Sequence, residues 1–90
     1  MAESGRPRCF RLAPATALRL ESRDSGVLLH PRGEVELNRS AAVILALCDG
    51  RHSEAEIVRR VARHFDGNGL ADDVHEFLQA ACGHGWLVEA

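Results

Sequence analysis

The sequence predicts an α+β domain in which a three-stranded antiparallel meander precedes three helices and a short terminal strand. This is the element order of a winged helix-turn-helix with its strands placed early. Three observations predict it. Alternating apolar segments joined by turn residues fill residues 17–37. At Asn38 the apolar spacing switches to a helical one and stays helical to Gly83. Between the two, the run LLHPRGEVELNRSAAVILALCDG from Leu28 to Gly50 packs two strands, a turn, a cap and a buried helix together with almost no slack. Such an order lays three helices on one face of a small sheet. The other face and one strand edge are left for water or a partner.

Each element has a local cause. Residues 1–10, opening MAESGRPR, are expected to be a disordered tail, and residues 11–90 a single domain. Ala13-Pro14-Ala15 interrupts any earlier strand. Ala17–Glu21 alternates, with Leu18 and Leu20 on one face. Asp24-Ser25-Gly26 is a turn signal, Val27–His30 a second strand, Pro31-Arg32-Gly33 another turn and Glu34–Leu37 a third strand. Asn38 is a strong N-cap, and the helix it opens, about Arg39–Cys48, is too apolar to be exposed. Ser53 and Glu56 have the spacing of a capping box. The helix they open carries Ile57, Val58, Val61, Ala62 and Phe65 on one face, and Asp66-Gly67-Asn68-Gly69 ends it. A third helix over Leu70–Cys82 carries the stripe Val74, Phe77, Leu78, Ala81, then Gly83 and Gly85 close it before Trp86-Leu87-Val88.

Composition removes whole classes of function. Ninety residues make one domain, and a chain of this size hides only about 60–65% of its extended surface, so the core is small. A formal charge of −2 offers no general attraction to nucleic acid or to an anionic membrane. All 11 basic residues are Arg, which excludes lysine-based catalysis. The cysteines Cys9, Cys48 and Cys82 are odd in number and widely spaced, as in a reducing cytoplasm. No apolar stretch is long enough to span a bilayer, and no signal-peptide core precedes the domain.

Candidate chemistry is sparse. His30, His52, His64, His75 and His84 do not cluster, and Cys82 with His84 lacks the second pair that a metal site needs. Asp72, Asp73 and Glu76 could form an acid–base set, but acids at a helix start are better explained by the macrodipole. No nucleophile–base motif or phosphate loop is present, so the chain is expected not to be an enzyme and to hold no cofactor. DNA binding would place the third helix against phosphates, yet that helix has three acids and no Arg. Arg59, Arg60 and Arg63 on the second helix form a solvated face or a dock for an acidic partner. The edge of the Glu34–Leu37 strand beside the third helix would suit strand addition by a peptide, with Val74, Phe77, Leu78 and Ala81 serving as core, as groove, or as both. Pairing of that edge with its own copy would instead give a dimer.

The chain resembles the pyrroloquinoline quinone (PQQ) biosynthesis protein D family. The matching residues are Leu28, Leu29, Pro31, Gly33, Leu37, Asn38, Ser40, Ala41, Ile44, Leu45, Leu47, Cys48, Asp49 and Gly50. A looser match runs through Ser53, Glu56, Ile57, Leu70, Asp72, Asp73, Val74, Phe77, Leu78, Gly85, Trp86 and Leu87. His30 and Arg32 depart from the family's aromatic and acid, and no aromatic stands near Glu21 or Ser22. The resemblance implies a cytoplasmic peptide chaperone, a monomer or weak homodimer. It would bind the ribosomal PQQ precursor, or the leader peptide of a related pathway. It would then present that peptide to a radical S-adenosylmethionine enzyme that carries the iron–sulfur clusters. It further implies peptide pairing along Glu34, Val35, Glu36 and Leu37, and a groove lined by Val74, Phe77, Leu78 and Ala81.

Overall fold

The computed structural model describes residues 8–22, 25–65 and 69–90. Asp24, residues 66–68 and residues 1–7, for which a turn, a helix stop and a tail are expected, lie outside the described residues. The elements run β1 (Cys9–Leu12), β2 (Ala17–Leu20), β3 (Gly26–His30), β4 (Gly33–Leu37), α1 (Arg39–Ala46), β5 (Asp49–Ser53), α2 (Glu54–Val61), α3 (Leu70–Gly83) and β6 (Leu87–Glu89). The expected meander is the sheet β2-β3-β4, antiparallel throughout, with Leu28 opposite Leu18 on one side and Val35 on the other.

A second antiparallel sheet, β5-β1-β6, goes beyond the sequence expectation. Cys9 and Phe10, expected in the tail, are strand residues, and Phe10 is 1% exposed in the core. Neither β1 nor β5 carries a strong local strand signal. β5 reads DGRHS and buries only Ser53 among its five residues. It is extended because β1 pairs with it, Cys9 opposite Ser53, while β1 also pairs with β6. Gly50 takes φ 84° in this strand, a backbone conformation that L side chains rarely adopt.

α1 and α2 begin where their caps dictate and end earlier than the apolar pattern suggests, while α3 runs one residue past the expected Cys82, to Gly83. Asn38 Oδ1 accepts the Ala41 N–H at 2.9 Å. Both bonds of the Ser53–Glu56 capping box are present. α1 stops at Ala46 rather than Cys48, because the Leu47 and Cys48 N–H groups tighten onto Ile44 and Leu45. α2 stops at Val61, with the His64 and Phe65 N–H groups both donating to its carbonyl. α3 opens after Gly69 with Asp72 and Asp73 in its first turn. The terminal strand starts one residue later than expected, since Trp86 turns back to donate to the Ala81 carbonyl. Phe10, Leu28, Leu45, Ile57, Val61, Val74, Leu78 and Leu87 form the centre of the core.

Candidate functional site

Among the described residues, β4 has a strand partner on one edge only. The direction of its backbone groups follows from the neighbouring hairpin. Glu21 N–H donates to the Ser25 carbonyl, so Ser25, Val27 and Leu29 share hydrogen bonds with β2. Antiparallel strands alternate their bonding side residue by residue. Gly26, Leu28 and His30 therefore bond toward β4, to Leu37, Val35 and Gly33. The N–H and C=O groups of Glu34 and Glu36 are left pointing to the open edge. Their side chains are exposed, whereas Val35 is half-buried and Leu37 is buried. The edge thus offers two outward donors and two outward acceptors, about 7 Å apart at the ordinary strand rise.

An apolar cleft of about 390 Å³ opens between α3 and α1, the helix that follows β4 after Asn38. Ser40 and Ile44 of α1 form one wall, Leu70, Asp73, Val74 and Phe77 of α3 the other, and Val61 and Phe65 close the end. The third-helix stripe is divided by this geometry. Phe77 is half-buried and stands in the wall, and Val74 forms the floor. Leu78 and Ala81, at 0% and 1% exposure, support the cleft from beneath and present no surface. Ser40, Ile44, Phe65, Leu70 and Asp73 were not singled out as lining residues by the sequence. For Phe65 a cue exists in the structure alone: the Arg39 guanidinium lies 4.9 Å over its ring and helps hold it in place. The exposed Glu34 and Glu36 make the edge acidic, and the cleft carries Asp73 in its wall with Arg39 over Phe65. At the Gly33 end of β4, His30, Arg32, His84 and Trp86 line a polar recess, with His84 stacked on Trp86 at 4.6 Å.

Other candidates resolve differently. Among the described residues no group of three His, Cys, Asp or Glu converges as a metal site. Burial pushes the Cys48 thiol up to about 12, with Cys82 and Asp49 adding to the shift, so it is an inert core group. His75 Nδ1 lies 3.0 Å from Glu54, tying α3 to α2. Arg59 and Arg60 are exposed on α2, whereas Arg63, expected on the same helix, is exposed in the turn after its end at Val61; Arg60 and Arg63 line a different cleft. No described helix is long and apolar enough to cross a membrane.

Known proteins resemble this chain in sequence and in fold. The family model described as coenzyme PQQ synthesis protein D (PqqD) matches residues 25–87. A relative from Methylococcus capsulatus, named PqqA binding protein, is 44% identical over 69 residues, 77% of this chain and 74% of its own. The solution structure of the PqqD part of Methylobacterium extorquens PqqCD, described as a stand-alone RiPP recognition element, superposes with a TM-score of 0.70. It is 28% identical, and the match covers 97% of this chain and 95% of that one. TbiB1 in complex with the TbiA(beta) leader peptide shares the fold at a TM-score of 0.73 and 22% identity, covering 86% and 93%.

Proposed function

The chain belongs to the coenzyme PQQ synthesis protein D family, and from that premise we propose that it is a non-catalytic chaperone for the PQQ precursor peptide. The observation that carries the proposal is the open β4 edge, joined through Asn38 to the helix that walls the apolar cleft. The peptide adds as a strand along Glu34–Leu37, bonding to the outward groups of Glu34 and Glu36. Backbone pairing tolerates many sequences, so selectivity comes from a peptide side chain that enters the cleft between Phe65, Leu70 and Phe77. The exposed Glu34 and Glu36 of the edge favour basic residues in the added strand. The name of the Methylococcus relative supports a PqqA-type precursor as the occupant.

The peptide is presented to a radical S-adenosylmethionine enzyme, which supplies the chemistry and the clusters. The free cysteines Cys9, Cys48 and Cys82 accord with work in the reducing cytoplasm. The winged-helix alternative, a DNA-binding regulator, has no comparable support. The exposed Asp72, Asp73 and Glu76 of α3 would repel phosphates. Amide chemical-shift mapping of labelled protein with the precursor peptide tests the reading. Shifts should cluster on residues 33–40 and on Phe65, Leu70 and Phe77. Shifts around Arg59, Arg60 and Arg63 that spare residues 34–37 would refute strand addition.

A further inference from the structure

Along α1 lies a second cleft that the peptide site does not use. It measures about 300 Å³ and is floored by Ala42, Val43 and Ala46 of α1 and by Leu47 just past its end. Leu20 at the end of β2 forms one rim, and Arg60, Arg63 and His64 form the other. Leu20 is 56% exposed, and among the described residues it is the large hydrophobic side chain left open to solvent. Gly26 allows this placement. A Cβ there would lie 3.1 Å from the Arg19 carbonyl and 3.3 Å from Leu20, so the bare backbone lets β2 and β3 pair closely at this end, with Ala42 of α1 in ordinary contact range at 3.6 Å. Arg60 and Arg63 make no salt bridge with a described residue, although described acids elsewhere pair with Arg8, Arg19, His52 and His75. None of the residues lining the cleft is acidic. The chain as a whole carries −2, so two uncommitted guanidinium groups over an apolar floor are a local exception.

We propose that this cleft is the docking site for an acidic, apolar-anchored segment of the partner enzyme. An aliphatic or aromatic side chain of that segment fills the floor against Leu20 and Val43, while carboxylates pair with Arg60 and Arg63. Guanidinium groups suit this task because they pair with carboxylates in a fixed fork. The apolar floor separates this surface from a phosphate-binding one, which would need charge but no anchor. The two clefts have no lining residue in common and use different residues of α1. Peptide and enzyme can therefore be held at once, on different residues of a single eight-residue helix. That arrangement is what a chaperone requires if it is to present a peptide without releasing it. The inference rests on the reading that the chain serves an enzyme.

The test uses the full chain, a PQQ precursor peptide and a radical S-adenosylmethionine enzyme of PQQ synthesis. Binding of each is measured for wild type, for Arg60→Glu/Arg63→Glu and for Leu20→Ser, a substitution at an exposed position that leaves the core intact. The charge reversal should weaken enzyme binding at least about tenfold and abolish most of its salt dependence. Leu20→Ser should weaken it severalfold, and both variants should bind peptide as wild type does. Saturating peptide should leave enzyme affinity unchanged. Enzyme binding that survives the charge reversal within twofold, or that peptide displaces, would overturn the docking site and leave the peptide site standing. Wild-type protein that binds peptide but not enzyme would overturn the partner reading and this inference with it.

Discussion

Replacing Glu36 with proline separates strand addition from every other way of holding a peptide. The Glu36 N–H points to the open edge of β4, so no ladder bond is lost in the free protein. Outward positions on edge strands are where sheets accept proline. The bound peptide, in contrast, loses one of the two donors that the edge provides. A net hydrogen bond is worth about 0.5–1.5 kcal/mol, or about two- to twelvefold in Kd. The ring also occupies the place of the lost hydrogen and holds the incoming strand away, so the expected loss is about tenfold or more, at the upper end of that range. Two controls frame the result. Glu36→Ala keeps the N–H and should bind within about threefold of wild type, since an exposed charge contributes little. Val35→Pro removes a donor that faces Leu28 across the ladder, so it should lower stability as well as binding. Calorimetric titration with the precursor peptide reads the affinities, and circular dichroism with a thermal melt reads the fold. A folded Glu36→Pro variant that binds within twofold of wild type would refute the strand-addition geometry.

Three further outcomes follow from the core and the caps. Leu45 is 1% exposed, and Leu45→Ala should cost about 2–5 kcal/mol, lowering the melting temperature by at least about 8 °C; an unchanged melt would show that α1 is not core. Cys48, buried and with its thiol pushed up to about 12, should resist iodoacetamide in the native state while half-buried Cys9 reacts and Cys82, its thiol also raised by burial, reacts more slowly, and mass spectrometry after proteolysis would show the pattern. Acid should destabilise the protein through two carboxylates that accept backbone N–H groups, Asp49 in β5 and Glu56 in the α2 capping box. The Arg51 backbone N–H, and then His52, hold Asp49 below its ordinary value, and the Ser53 backbone N–H does the same for Glu56. A depressed folded pKa adds stability that is present above the unfolded value, about 4, and is lost as pH falls through the folded one. Melts between pH 6 and pH 2.5 should therefore drop below about pH 4, and Glu56→Gln, which keeps the acceptor, should flatten that drop; an equal slope in the variant would remove Glu56 from the account.

What the sequence makes legible is what is decided locally. Asn38 caps α1 and Ser53 with Glu56 caps α2 because the partners lie three residues away, and the β2-β3-β4 meander is fixed by turns between neighbours. The β5-β1-β6 sheet is illegible for the opposite reason. β1 is extended only because Asp49–Ser53 and Leu87–Glu89, both far along the chain, lie on either side of it. The site divides along the same line. The open edge at Glu34–Leu37 can be read from a short alternating strand that ends in a cap. The cleft cannot, since Ile44, Phe65 and Leu70 meet only once three helices have packed. A helical stripe shows which residues face inward and not where the neighbouring helix stops covering them. In α3 that boundary runs between Leu78, fully buried, and Phe77, one position away and half-buried. The consequence is a division of labour within one helix. Changes at Leu78 or Ala81 fall on the core and act on stability. Changes at Leu70 and Phe77 fall on the margin, where a new side chain reshapes the cleft while the core beneath keeps its packing. Peptide preference in this fold can therefore shift through margin residues of α3 while the backbone-pairing edge of β4 stays the same.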